Sequence, residues 1–197
     1  MSYTPATGGT GGDFSISDPV NSFVNTSVAV ATRPSAFFHS VRRTGDFAAP
    51  LLFALICALI NAVIGGLVRL PGRETLGGYI ASLILTPIGT AIGLAIATLI
   101  AHLLVMVVIG AGNAGPEATF RVAAYGSVTS LLSWIPWVGL LVFIYSIYLW
   151  VVGIREVHST TTEKALVVVL VPLVIGGLIF GCLAATVGLT FLAVNSR

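Results

Sequence analysis

Residues 131–165 read LLSWIPWVGLLVFIYSIYLWVVGIREVHSTTTEKA, and the two ends of this stretch have different chemistry. Trp134 and Trp137 bracket Pro136, an uncharged run of helix length follows, and Arg155, Glu156 and His158 then appear within four residues. Trp and Tyr rings favour a membrane–water boundary, and proline cannot continue a helix through its own nitrogen. The stretch therefore reads as a turn at one membrane surface, a span, and an exit into water at the other surface.

The whole chain has the composition this reading requires. Of its 197 residues 56% are hydrophobic and 8% charged, with a mean hydropathy of +1.03, whereas a soluble domain carries about 25% charge. So few charges cannot cover a water-facing surface, which excludes a soluble globular domain. The net charge of +2 offers no basic face for nucleic acid. Cys57 and Cys182 sit inside apolar runs without metal-ligand spacing, so neither a metal nor a cofactor is expected. Residues 1–32 are polar, contain no Lys or Arg, and show neither the basic start nor the short apolar core of a cleaved leader. They are expected to form a flexible tail, with residues 33–194 as the membrane domain.

Working outward from the quoted stretch, the apolar runs are expected to supply five spans at about 50–68, 87–110, 120–134, 137–153 and 165–194. The second and fifth runs exceed the ~20 residues that a bilayer needs, so Pro87 and Pro172 mark places for a bend or a tilt. The third and fourth are short, and a re-entrant hairpin is the rival reading. Before the first span, Pro34, Phe37, Phe38 and Val41 followed by Arg42 and Arg43 suggest a short interfacial helix. The fold class is all-α, a polytopic bundle. With the N-terminus cytoplasmic, that side holds Arg33, Arg42, Arg43, Arg121, Arg155 and Lys164 against Arg69, Arg73 and Arg197 opposite, which sets the C-terminus outside.

Polar side chains within spans are the first candidates for function, and these are Asn61 and His102. No HExxH, GxSxG or phosphate-binding glycine loop is present, and Ser127, Ser130 and Ser133 lack a sequence-adjacent His or Asp to activate them. An enzyme is therefore not expected. Gly89 with Gly93, and Gly177 with Gly181, have the four-residue spacing that lets helix backbones meet. Phe37, Phe38, Arg42, Arg43, Arg121, Arg155, Glu156 and His158 are the candidate contacts for a partner or for lipid. The expected function is association with other membrane proteins in or beside the bilayer, as a subunit or organiser of a complex or as a homo-oligomer; a small transporter or channel relying on His102 is the alternative.

The ordered set TFRVAAYGSV, SWIPWVG and IYSIYLWVVGIREVHSTTTEKALVVVLVP, preceded by Pro34, Phe37 and Phe38, resembles the Yip domain family over roughly residues 33–185. The resemblance implies a five-span helical protein with a cytoplasmic N-terminus and no assigned catalysis. Eukaryotic members act in vesicle trafficking through partners, Rab-like GTPases among them. The short N-terminal region here is more similar to compact bacterial relatives, which implies a bacterial cytoplasmic membrane.

Overall fold

The computed structural model describes residues 13–69, 75–135 and 137–195, and every regular element in them is helical. The order is α1 (Pro19–Thr32), α2 (Pro34–Ser40), α3 (Ala48–Arg69), α4 (Leu76–Val108), α5 (Pro116–Gly126), α6 (Val138–Val157) and α7 (Thr162–Asn195), with 3-10 turns at Gly110–Gly112 and Ser127–Leu132. The loop residues Pro71, Arg73 and Glu74, the turn residue Pro136 and the first twelve residues of the expected tail lie outside the described residues.

Among the described residues four helices are long and apolar enough to cross a membrane: Ala48–Arg69, Leu76–Val108, Val138–Val157 and, within α7, Thr162–Thr186. They match the first, second, fourth and fifth expected spans. The second begins eleven residues earlier than expected, because Thr75 caps it, its hydroxyl accepting the Gly78 N–H at 3.1 Å. Pro87 lies inside this unbroken helix, as Pro172 does inside α7.

The expected third span is different in kind, and a count of five such helices is not obtained. Residues 116–126 form an α-helix that is buried from Ala118 to Gly126 and then tightens into the 3-10 turn. Hydroxyl groups explain the change. Ser127 donates to the Ala123 carbonyl, Thr129 to Gly126 and Ser133 to Ser130, so side chains compete for the acceptors a longer helix would use. The segment still runs along α3. Arg121 meets Asp46 at one end, and the Ser133 hydroxyl donates to Asn61 Oδ1 at 3.2 Å at the other.

Part of the expected flexible tail is ordered. Pro19 opens α1, and the neighbouring Asp18 carboxylate holds the Asn21 amide at 3.0 Å. Thr26 and Val30 are buried, while Val20, Val24 and Val28 face outward four residues apart, a stripe suited to lipid. Composition missed this helix because its packing partners are remote in sequence: Phe23 meets Phe53 with ring centroids 5.2 Å apart, and the Ala31 carbonyl accepts the Tyr145 hydroxyl at 2.7 Å.

The expected interfacial helix also differs. α2 is seven residues long, and Phe37 and Phe38 turn into the protein, at 4% and 1% exposure. Phe37 stacks edge-on against Phe38 and Tyr125, and Tyr125 against Phe53, with centroids 5.1–5.3 Å apart. Each such aromatic pair contributes about 1 kcal/mol beyond area burial, so the aromatic cluster ties α2, α3 and α5 into one core. These two phenylalanines offer no surface to lipid or a partner.

Candidate functional site

The polar residues of the bundle gather at the end where α3 begins, α4 finishes, α5 begins, α6 finishes and α7 begins. Three sets of contacts are built there, on Arg121, on His158 and on Glu156.

Arg121 is drawn into this end because α5 is lined with small residues. Ala118, Ala123 and Ala124 let the helix sit in the middle of the bundle, which carries its arginine inward to 2% exposure. Its Nη2 donates to the Asp46 carbonyl at 3.0 Å. Its Nε lies 3.6 Å from Asp13 Oδ1, a charge contact rather than a hydrogen bond. Among the described residues Nε and Nη1 have no hydrogen-bond partner.

Asp13 is the anion shared by this end of the molecule. Its carboxylate accepts the Tyr125 hydroxyl at 3.0 Å and pairs with Arg42 Nε at 3.1 Å. The next residue reinforces the dock: the Phe14 N–H donates to the Tyr125 oxygen at 3.0 Å, and the Phe14 ring, 2% exposed, lies 6.0 Å from that of Phe53. A cavity of 280 Å³ lies against Asp13, Phe14, Arg42, Asp46, Pro50 and Arg121.

His158 ends a chain of hydrogen bonds that begins within α4. The Ala114 N–H donates to His158 Nδ1 at 3.0 Å, which fixes that nitrogen as an acceptor and places the ring proton on Nε2. Nε2 then donates to Thr119 Oγ1 at 3.0 Å, and the Thr119 hydroxyl is free to donate to His102 Nδ1 at 3.1 Å. Burial, then His102 and Arg43, push the His158 pKa down to about 4. A hydroxyl between two imidazoles has the makings of a nucleophile, but Thr119 is fully buried. The chain joins α4, α5 and the exit of α6, which is a packing role.

Glu156 forms a third, shallower set. It accepts the Ser35 hydroxyl and Arg155 Nη2, each at 2.7 Å, with His39 Nδ1 at 3.4 Å, while Arg43 Nη2 donates to Ser159 Oγ at 2.9 Å. These contacts clamp α2 onto α6.

The predicted site residues thus divide. Arg42, Arg43, Arg121, Arg155, Glu156 and His158 meet at one end, with His102 tied to them through Thr119. Like Phe37 and Phe38, Arg121 and His158 are buried, and of these four Arg121 lines the cavity. Asn61 lies within α3, about three and a half turns from the end where these residues meet. Sequence reasoning missed Asp13, Thr119 and Tyr125 as parts of the site. Tyr125 follows Arg121 by one helical turn, a signal that could have been read; Asp13 carries no local signal at all.

A family model described as the Yip1 domain matches residues 28–183. No curated protein and no solved structure matches the chain. The matched region takes in α2 to α6 and most of α7, with every residue of the His158 chain, and so the chain belongs to the Yip1 domain family of membrane proteins.

Proposed function

We propose that this protein works without catalysis, by associating with other membrane proteins through faces of α4 and α7 that its own bundle leaves open. The observation that carries this reading is where its glycines lie. A Cβ added at Gly89, Gly93, Gly176, Gly177 or Gly181 would meet nothing within 4 Å. The four-residue spacing therefore does not serve packing inside one copy, and lipid gains little from a groove of this kind. Small residues so placed let a second helix approach closely, where dispersion and backbone contacts drive association. The partner is a membrane protein or a second copy.

This reading sets the chain in a bacterial cytoplasmic membrane, crossing it five times with the N-terminus inside. The run of the 116–132 segment beside α3 and the excess of basic residues at the Arg121 end support that course. Arg42, Arg43 and Arg155 then face the cytoplasmic lipid phosphates or a partner's acidic surface. Transport through His102 is less well supported, because its hydrogen-bond chain stops at the Ala114 backbone N–H.

The test uses Gly177→Leu with Gly181→Leu, and separately Gly89→Leu with Gly93→Leu. Cross-linking in native membranes, followed by purification in mild detergent and mass determination, is expected to show loss of a dimer or of a stoichiometric companion, with thermal stability kept. Unchanged assembly in both double variants overturns the reading.

A further inference from the structure

The cavity beside Arg121 has the construction of an oxyanion site, and its present occupant belongs to the protein. We propose that this cavity binds a phosphate oxyanion between Arg121 and Arg42, in the place that the Asp13 carboxylate holds in the structure. The inference stands apart from the association reading and uses none of the glycine faces.

A guanidinium is costly to bury unless its N–H groups are satisfied. Arg121 is 2% exposed, yet Nε and Nη1 have no hydrogen-bond partner among the described residues, and the residue lines a cavity of 280 Å³. Arg42 lines the same cavity from the exposed side and, among the described residues, is engaged only through its Nε, at 3.1 Å from Asp13. Two forked cations thus converge on one carboxylate, and the buried one meets it at 3.6 Å without a hydrogen bond. A phosphate oxyanion has more acceptor oxygens, and its geometry matches the guanidinium fork.

The charges select the ligand further. Asp46 gives its backbone oxygen to Arg121 and is itself one of the residues that line the cavity. With Asp13 displaced, the two arginines and Asp46 leave a surplus of one positive charge, which suits a singly charged phosphodiester better than a doubly charged monoester. Ala49 and Pro50, the opening residues of the first crossing helix, form part of the wall. The cavity therefore lies at headgroup depth, where anionic phospholipid supplies that chemistry.

The test titrates full-length protein, purified in detergent and stripped of lipid, with mixed micelles of phosphatidylglycerol or phosphatidylcholine and, in a separate arm, with inorganic phosphate. Saturable binding of phosphatidylglycerol is expected. Arg42→Gln, which changes an exposed side chain, is expected to weaken it about tenfold, the scale of one charged hydrogen bond. Asp13→Asn is expected to tighten it, while Asp18→Asn, which removes the same charge outside the cavity, leaves it unchanged. Binding of inorganic phosphate with the same dependence on Arg42 and Asp13 keeps the oxyanion site and assigns it a soluble ligand. Equal affinity in wild type, Arg42→Gln and Asp13→Asn overturns the proposal, as does an equal gain from Asp13→Asn and Asp18→Asn.

Discussion

Val122 occupies the space that Gly153 leaves open: a Cβ on Gly153 would stand 2.5 Å from Val122 Cγ1 and 3.1 Å from its Cγ2. Both residues are buried, where α5 meets the last turns of α6. Gly153→Ala is thus an overpacking change, expected to cost about 1–3 kcal/mol. Val122→Ala in the same chain vacates that space, so the double variant is expected to recover part of the loss. Thermal unfolding in detergent for the four members of this cycle checks it; additive losses in the double variant would refute the contact.

The His158 ring makes stability depend on pH in a definite direction. Its Nδ1 accepts the Ala114 N–H, and a proton there would remove that bond. Its pKa falls from 6.5 to about 4 on folding, chiefly through burial. Between these values the unfolded chain takes up a proton that the folded chain refuses. The contribution of neutral His158 is therefore complete above pH 6.5 and is lost as the pH drops toward 4. The melting temperature of wild type is expected to decline over that interval more steeply than that of His158→Gln, and parallel curves would count against the assignment.

Tyr125 is the joint between the N-terminal segment and the bundle, accepting from the Phe14 N–H and donating to Asp13. Tyr125→Phe keeps the ring stack against Phe37 and Phe53 but leaves that N–H unsatisfied, at a cost of about 1–3 kcal/mol. Because α1 follows directly, faster amide exchange is expected in residues 13–32, with little change in α3. Unaltered protection of the Phe14 amide would show that the hydroxyl does not hold the segment.

Much of this architecture is legible in the sequence, and the parts that are not have a common cause. Uncharged runs bounded by Arg69, Arg155 and Glu156 disclose the four described helices that are long and apolar enough to cross a membrane, because the bilayer imposes a length on each of them independently. Arg42, Arg43, Arg155 and Glu156 are visible as one polar end for the same reason. α1 is hidden, since a helix of Val, Asn, Ser and Thr is stabilised by Phe53 and Tyr145 rather than by its own pattern. The burial of Phe37 and Phe38 is likewise decided by Tyr125, more than eighty residues further on. Asp13 reaches Arg121 across more than a hundred residues, and no local period records such a pairing.

The clamp on α2 separates strong contacts from weak ones. Glu156 is 18% exposed in its side chain and accepts two hydrogen bonds of 2.7 Å, whereas His39 is 75% exposed and sits 3.4 Å away. Solvent screening leaves the His39 pair worth little, while charged hydrogen bonds at a partly buried acceptor contribute about 1.5–3 kcal/mol. Glu156→Ala is expected to raise amide exchange throughout α2, with His39→Ala close to wild type. Equal effects from both would mean that the clamp rests on Phe37 and Phe38 alone.

The course of the 116–132 segment decides which loops share a compartment. Gly112 and Trp137 lie just before and just after it; a Cβ at Gly112 would meet nothing within 4 Å, and Trp137 is 95% exposed. Eleven residues of α-helix and six of 3-10 helix extend roughly 28 Å, close to the ~30 Å of a hydrocarbon core. The segment can therefore cross with the Ser127 and Thr129 hydroxyls bonded to its own carbonyls, packed against α3 and α6. With Cys57 and Cys182 replaced by Ala, Gly112→Cys and Trp137→Cys are expected to react with an impermeant maleimide from opposite sides of sealed vesicles. Labelling of both from one side would overturn the five-crossing course.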